Sequence, residues 1–241
     1  MRILRGIHTA YGSFVFLILF IIFFFPLLIP IAFPKKFSWV GIINRLWAKL
    51  LFTFVVLPYK VESRSKLDPG KQYIFCPNHF SYLDIPTMGL NPINTIFVGK
   101  NDMEKVPFFG FMYGKLHITV DRNRLRSKYE TFIKSGQAID DGKSLVLYPE
   151  GGIFTENAPA MVRFKDGAFR LAIEKQIPIV PVTIPYNWII LPPDEFLLRQ
   201  GNVKVIFHEP IETNNMTLAD VDTLKQKVFT IIEDEICKYK K

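Results

Sequence analysis

The sequence predicts an α/β fold with a mostly parallel sheet flanked by helices, and an N-terminal hydrophobic two-helix membrane anchor. From about residue 61 onward, short apolar runs alternate with longer mixed segments, which is typical of strands and helices that alternate around a parallel sheet. Residues 12–33 carry no charge, and about 20 apolar residues suffice to cross the hydrocarbon core of a bilayer. We therefore divide the 241 residues into 1–58, a membrane-embedded or re-entrant helical hairpin, and 59–241, an α/β domain.

The N-terminal apolar segment is compatible with two kinds of anchor. Two basic residues precede it and two follow it, so loop charge does not decide its orientation. Pro26 and Pro30 favour a bent helix. A second apolar segment, 37–57, carries Arg45 and Lys49 on one helical face, which suits an interface better than the bilayer centre. A single-pass anchor and a hairpin in one leaflet both remain open, and we expect the protein at the cytoplasmic face of a membrane.

Six strands and four helices are predicted beyond the hairpin. The strands are apolar runs at 73–76, 95–98, 117–120, 144–148, 179–184 and 203–207. The helices are 85–89, 125–140, 164–175 and 217–240. In the last helix, apolar residues recur at helical spacing, and Thr217 with Asp220 resembles a capping box. We expect that helix to cover the sheet.

Composition narrows the possible partners. The net charge is +8 and 49% of the residues are hydrophobic, which together favour a membrane surface rich in anionic lipid. Nucleic acid is the competing partner for a basic chain, but no basic run is interleaved with aromatic residues, so we expect no nucleic acid. Cys76 and Cys237 lie too far apart to form a disulfide framework, and no Cys/His cluster has metal-ligand spacing. We therefore expect a reducing compartment and no metal.

Residues 78–84 read NHFSYLD and place a histidine five positions before an aspartate. In a continuous helix His79 and Asp84 would lie about 140° apart, and in a continuous strand they would lie on opposite faces. The two side chains can meet only if the chain bends between them. Pro77, Asn78 and Ser81 favour such a bend.

Pro86 indicates where the following helix begins. If Ser81 were the N-cap, Pro86 would break the helix interior at a cost of about 3 kcal/mol. If Asp84 is the N-cap, Pro86 falls in the tolerated first turn. We therefore predict that one oxygen of Asp84 caps the helix and the other holds the imidazole of His79. Spacing alone leaves two interpretations open: a structural turn, or a histidine general base oriented by an aspartate.

Three further blocks accompany NHFSYLD in a fixed order. They read GKLHITVDR (114–122), LYPEGGIF (147–154) followed by FKDGAF (164–169), and IPIVPVTI (177–184). In this order the blocks resemble the glycerophospholipid acyltransferase family, which includes the 1-acylglycerol-3-phosphate (lysophosphatidate) acyltransferases. The resemblance covers about residues 73–210. No G-x-S-x-G elbow is present, which weighs against an α/β-hydrolase.

The resemblance implies a reaction and a set of site residues. An acyl chain would pass from a thioester, acyl-CoA or acyl-carrier protein, to the hydroxyl of a lysolipid in the bilayer, with no additional cofactor. We expect 1-acylglycerol-3-phosphate as the acceptor, giving phosphatidate in phospholipid biosynthesis. The resemblance makes His79 the general base and Asp84 its orienting partner. The substrate-binding residues that it implies are Lys100, Arg122, Glu150, Gly151, Gly152 and Lys165.

One block departs from the family pattern. The third block commonly reads Glu-Gly-Thr-Arg, but here Gly152 and Ile153 follow Glu150 and Gly151, so the arginine that could bind a phosphate in bidentate fashion is missing. Other cations and backbone amides could serve instead. Alternatively, the acceptor is another lysolipid, such as a carboxylated lyso-aminolipid, or the chain is a non-catalytic lipid-binding scaffold.

Overall fold

The computed structural model describes residues 2–100, 104, 106–121, 124–154 and 158–239, except for the side chains of residues 100 and 125. The strands within these ranges are β1 Tyr59–Ser63, β2 Ile74–Pro77, β3 Thr95–Lys100, β4 Ile118–Val120, β5 Ser144–Leu147, β6 Ile179–Thr183 and β7 Val203–Phe207. The helices are α1 Arg2–Ala32, α2 Ser38–Phe54, α3 Asp84–Met88, α4 Phe109–Leu116, α5 Leu125–Asp140, α6 Gly167–Lys175, α7 Asn187–Ile190 and α8 Val221–Cys237.

The seven strands form one sheet in the order β1-β7-β6-β2-β5-β3-β4. Neighbouring strands are parallel throughout, except for the antiparallel pair β6 and β7. The mostly parallel α/β fold is therefore confirmed. Strand β2 lies between β6 and β5, and the carboxyl ends of β2, β3, β5 and β6 share one edge of the sheet. Open α/β sheets bind their ligands at this edge.

Most predicted elements are present, and the exceptions have physical reasons. The helix at 125–140 and the strand at 203–207 have the predicted bounds, and the capping box of Thr217 and Asp220 forms as expected. Strand β1 was missed because its residues are half-exposed or exposed and polar, as suits the edge of a sheet. Helix α4 was missed because glycine occurs twice in its eight residues, and α7 is only one turn long.

The two N-terminal helices pack against each other and against the rest of the chain. Helix α1 continues through Pro26 and Pro30 and buries one stripe, whose members recur every three or four residues: Gly12, Val15, Leu19, Phe23, Leu27 and Pro30. Most of its other residues are apolar and are exposed or half-buried. In the part of the chain that the structure describes, α1 is the one helix long and apolar enough to cross a membrane. Helix α2 is shorter, with 17 residues.

Contacts at several points fix the hairpin formed by α1 and α2 to the rest of the chain. The amide of Leu198 donates to Thr9 Oγ1 at 2.8 Å, and Arg45 NH1 donates to the carbonyl oxygen of Asn91 at 3.1 Å. Leu83 and Leu90, on either side of α3, belong to the same apolar cluster as the buried residues of α1 and α2. The hairpin therefore packs directly on the segment that contains residues 78–84.

Candidate active site

The NHFSYLD turn follows the central strand β2 and is fixed to the end of β6. The fully buried Asn78 exchanges two hydrogen bonds with the backbone of Ile184. Its Nδ2 donates to the carbonyl oxygen at 3.0 Å, and its Oδ1 accepts from the amide at 2.7 Å. The turn therefore begins from a rigid point at the carboxyl edge of the sheet.

The chain bends after β2 and brings His79 and Asp84 together. His79 Nδ1 lies 3.0 Å from Asp84 Oδ2, and both side chains are buried. The same oxygen accepts the backbone N–H groups of Phe80 and Ser81, each at 2.9 Å. Because a carboxylate only accepts hydrogen bonds, Nδ1 carries the proton and the lone pair of the imidazole lies on Nε2.

Asp84 does not cap α3, so that prediction is wrong. The helix begins at Asp84 itself, the residue before it is Leu83, and no side chain caps the helix. The carboxylate turns back to the backbone donors of the preceding turn, which are buried and would otherwise lack an acceptor. A helix of five residues competes weakly for the carboxylate, since its dipole is short. Pro86 lies in the first turn, as its ring requires.

The ring of Tyr148 covers one face of the imidazole. The centroids of the Tyr148 and His79 rings lie 3.9 Å apart at an interplanar angle of 22°. Burial, and then the charge of Asp84, raises the pKa of Tyr148 well above its ordinary value, so the phenol stays neutral. The stacked ring restricts the imidazole to one plane, and its face favours a positive charge beside it.

Glu150, from the third block, binds the backbone on either side of the site. Its Oε1 accepts the N–H of His79 at 2.7 Å and its Oε2 accepts the N–H of Val162 at 3.3 Å. Only 1% of the residue is exposed. Burial raises the pKa of Glu150 to about 7, against the two backbone hydrogen bonds that lower it. Glu150 therefore positions His79 through the main chain.

Gly151 lets the side chain of Lys165 pass close to the backbone of the third block. Its φ is +77°, and a Cβ at this position would lie 2.7 Å from Cε and 2.8 Å from Cδ of Lys165. The backbone N–H of Lys165 also donates to the carbonyl oxygen of Pro149 at 2.8 Å. A side chain at 151 would be strained by its backbone angle and would displace the lysine. Gly152 follows in the same turn.

The side chains of two predicted substrate-binding cations lie outside the described part of the structure. Lys100 ends β3, at the carboxyl edge of the sheet, but its side chain lies outside the described part of the structure. Arg122 lies outside the described residues altogether. The structure thus brings together His79, Asp84 and Glu150, and places Lys165 over Gly151.

Asn187 was missed by the sequence reasoning. It begins α7, just beyond the fourth block, and its side-chain amide donates to Asp84 Oδ1 and to Thr87 Oγ1, both at 2.9 Å. No local pattern signals the contact, since 103 residues separate Asn187 from Asp84.

Two apolar cavities adjoin the turn. One, of about 430 Å³, lies between α1, α2 and the segment 191–198 and includes Leu83 in its wall. The other, of about 280 Å³, lies between α1, α2 and α4 and reaches Phe97 on β3. Tyr82 and Pro86 line both cavities. Hydrocarbon can therefore be buried on either side of the residues that follow His79.

Comparison with known proteins decides the family. A model of the family described as Acyltransferase matches residues 58–185, which include all four blocks. This chain belongs to the acyltransferase family. The region matched in this acyltransferase ends two residues before Asn187.

Named relatives and a solved structure agree with that assignment. The acyltransferase is 30% identical over 215 residues to the 1-acyl-sn-glycerol-3-phosphate acyltransferase of Haemophilus influenzae, covering 85% of this chain and 84% of that protein. It is 32% identical over 161 residues to the Saccharomyces cerevisiae protein of the same name, covering 66% of this chain but only 53% of the yeast protein. The crystal structure of the 1-acyl-sn-glycerophosphate (LPA) acyltransferase PlsC from Thermotoga maritima has the same fold, with a TM-score of 0.81 at 21% identity over 99% of this chain and 98% of that one.

Proposed function

We propose that this acyltransferase moves a fatty acyl chain from an acyl thioester to the hydroxyl of 1-acylglycerol-3-phosphate, giving phosphatidate in phospholipid biosynthesis. The observation that carries the proposal is the 3.0 Å contact between His79 Nδ1 and Asp84 Oδ2, in a buried turn at the ligand-binding edge of the sheet. The names of the Haemophilus and yeast relatives support the choice of acceptor.

The geometry supports direct transfer with His79 as the general base. Nε2 takes the proton of the acceptor hydroxyl as the oxygen attacks the thioester carbonyl carbon. The tetrahedral intermediate collapses, the carbon–sulfur bond breaks, and the leaving thiolate takes the proton back from the imidazolium. Asp84 stabilises the imidazolium through Nδ1–H, and the face of Tyr148 does so from one side. A positioned base of this kind contributes roughly 10²–10⁴-fold in rate.

Cations and backbone amides near the third block replace the missing arginine in this proposal. Lys165 crosses Gly151, and Gly151 and Gly152 let backbone amides approach an anion. The family resemblance adds Lys100 and Arg122 to the proposed headgroup site. Because Ile153 stands where the family has arginine, a lysolipid with another headgroup, such as a lyso-aminolipid, is the alternative acceptor.

We propose that the hairpin lies in one leaflet, at the cytoplasmic face, rather than crossing the bilayer. Exposed apolar side chains support membrane contact: Ile3, Leu4, Phe14 and Phe25 are each more than 60% exposed. Helix α1 nevertheless touches the rest of the chain along its length, from the ion pair of Arg5 with Glu195 to the packing of Leu27 in one cluster with residues of α4. A helix held in this way cannot also extend away from the α/β domain across a membrane.

Labelling of single cysteines distinguishes the two anchors. In a Cys237→Ser background, Arg2→Cys and Lys35→Cys place a thiol at each end of α1, and Cys76 is buried. In sealed vesicles, a membrane-impermeant maleimide should label both ends from the side that carries the α/β domain. Labelling of only one end from that side would indicate a crossing helix and would contradict the one-leaflet hairpin.

Turnover with defined substrates tests the reaction. Purified protein is supplied with acyl-CoA or acyl-carrier protein and a panel of lysolipids, and the products are identified by mass spectrometry. We expect phosphatidate from 1-acylglycerol-3-phosphate, and loss of turnover in His79→Ala but not in the matched control His8→Ala, which lies on α1. Undiminished turnover in His79→Ala would exclude the general base, preference for a lyso-aminolipid would change the acceptor but not the mechanism, and no turnover with any pair would favour a lipid-binding scaffold.

A further inference from the structure

The segment 184–191, most of which lies beyond the matched family region, holds the catalytic turn. It is attached at three points. Its Ile184 pairs with Asn78, its Asn187 with Asp84, and the carbonyl oxygen of Leu191 accepts the hydroxyl of Ser81 at 2.7 Å. We call residues 184–191 the brace. Because it follows β6, the neighbour of β2, the brace meets the turn without a long connection.

Asn187 is the member of the brace that reaches Asp84. It is fully buried, and Nδ2 donates to Asp84 Oδ1 and to Thr87 Oγ1. Its own Oδ1 has no hydrogen-bond partner among the described residues. A buried acceptor without a partner is unfavourable, so an asparagine is a poor choice for packing alone. The asparagine is useful here because its Nδ2 donates two hydrogen bonds.

The two oxygens of Asp84 have separate partners. Oδ2 accepts from the imidazole and from two backbone N–H groups, and Oδ1 accepts from Asn187. A donor on Oδ1 fixes the rotation of the carboxylate about its last side-chain bond, which keeps Oδ2 in line with His79 Nδ1. An orienting partner of this kind also determines which imidazole nitrogen carries the proton.

We propose that Asn187 is a positioning residue for the transfer reaction, acting on His79 through Asp84. This inference rests on the proposed general-base function. It makes a His79–Asp84–Asn187 relay, in which the amide holds the carboxylate, the carboxylate holds the Nδ1–H tautomer, and Nε2 is left free to take the hydroxyl proton.

The test replaces the amide by an apolar group of similar size. In Asn187→Leu we expect kcat to fall by about 10- to 100-fold, by analogy with outer partners that orient metal-binding histidines, with a smaller change in the KM of the acceptor. The matched control is Thr213→Val, which also removes a buried hydrogen-bonding side chain, but one that binds the backbone of Ala172 and Ile177. Its kcat should stay at the wild-type value. If Asn187→Leu does not fold, Asn187→Ser replaces it with the same expected direction.

Two further readouts separate positioning from packing. In ¹⁵N-histidine spectra, the Nδ1–H tautomer of His79 should dominate in the wild type, and a mixture of tautomers should appear in Asn187→Leu. In an Asp84→Asn background, adding Asn187→Leu should cause no further loss of kcat, because the two residues act as one unit. A wild-type tautomer in Asn187→Leu, or equal losses in both backgrounds, would overturn the proposal.

The outcome for His79 keeps the two proposals apart. Turnover that survives His79→Ala would refute the general-base function itself. If His79→Ala is inactive while Asn187→Leu keeps the wild-type kcat, the general base stands and the positioning role of Asn187 is wrong.

Discussion

The stability of the acyltransferase should fall as the pH rises from about 4.5 to about 7, and Glu150→Gln should remove much of that slope. Burial raises the pKa of Glu150 from its ordinary 4.5 to about 7. Between these values the unfolded chain has released a proton that the folded chain still holds. Unfolding is therefore favoured as the pH rises. The stabilising contribution is complete below pH 4.5 and is lost as the pH passes through about 7.

The size of the effect follows from the pKa of Glu150. A difference of about 2.5 pH units, at 1.36 kcal/mol for each unit, gives about 3 kcal/mol in the free energy of unfolding. In a protein of this length, 1 kcal/mol moves the midpoint of thermal unfolding by about 2–4 °C. The midpoint should therefore fall by roughly 6–12 °C from this group across the interval.

Thermal unfolding in one detergent at constant ionic strength, from pH 4.5 to 8, measures the slope. The wild type is compared with Glu150→Gln and with Glu130→Gln, an exposed carboxylate on α5 whose one ion pair among the described residues is with Arg126. Glu150→Gln should be less stable overall. The amide has one acceptor oxygen, whereas the N–H groups of His79 and Val162 each need an acceptor. The test therefore depends on the slope of the unfolding midpoint against pH, not on the midpoint at any one pH. If the midpoints of the wild type and Glu150→Gln fall in parallel across this interval, Glu150 does not hold an extra proton in the folded protein.

Two further pairs of variants test the surroundings of the site by measured turnover and thermal stability. Tyr148→Leu should lower kcat/KM by about fivefold, since a ring face beside an imidazolium contributes roughly 1 kcal/mol, and should lower it more than Tyr148→Phe, which keeps the ring stacked on His79. Gly151→Ala should lower both stability and activity because its Cβ displaces Lys165, whereas Gly142→Ala, whose φ is also positive but whose Cβ meets nothing within 4 Å, should lower stability alone.

The sheet was predictable because its central strands are continuous apolar runs. All residues of β2 and β6 are buried, as expected for parallel strands covered on both faces. In edge strand β1, Tyr59 and Val61 alternate with Lys60 and Glu62, but none of the five residues is buried, so the short pattern resembles a loop. Its pairing with β7, far along the chain, is what makes it a strand.

The turn at residues 78–84 was predictable only in part. Pro86 restricts where α3 can begin, so the bend between His79 and Asp84 follows from local sterics. The partners of Asp84 do not follow from local sequence. Backbone donors compete with the helix cap, and Asn187 reaches the carboxylate only because β6 and β2 are neighbours in the sheet. Contacts of this kind depend on strand order, which one sequence does not encode in any short pattern.

The hairpin packs against the turn at residues 78–84 and hydrogen-bonds to the segment beyond α3, so we expect it to determine how the proposed site meets lipid. Arg45 NH1, on α2, donates to the carbonyl oxygens of Asn91 and Pro92 at 3.1 and 3.0 Å, a few residues beyond α3. Arg45→Ala should loosen this attachment and raise the KM for an acceptor embedded in vesicles, while turnover of a short-chain acceptor in solution changes little. Lys49→Ala, on the same face of α2, removes a similar charge for which no described ion pair is present and serves as the control. Equal losses with both acceptors would show that Arg45 supports the α/β domain itself rather than its approach to the membrane.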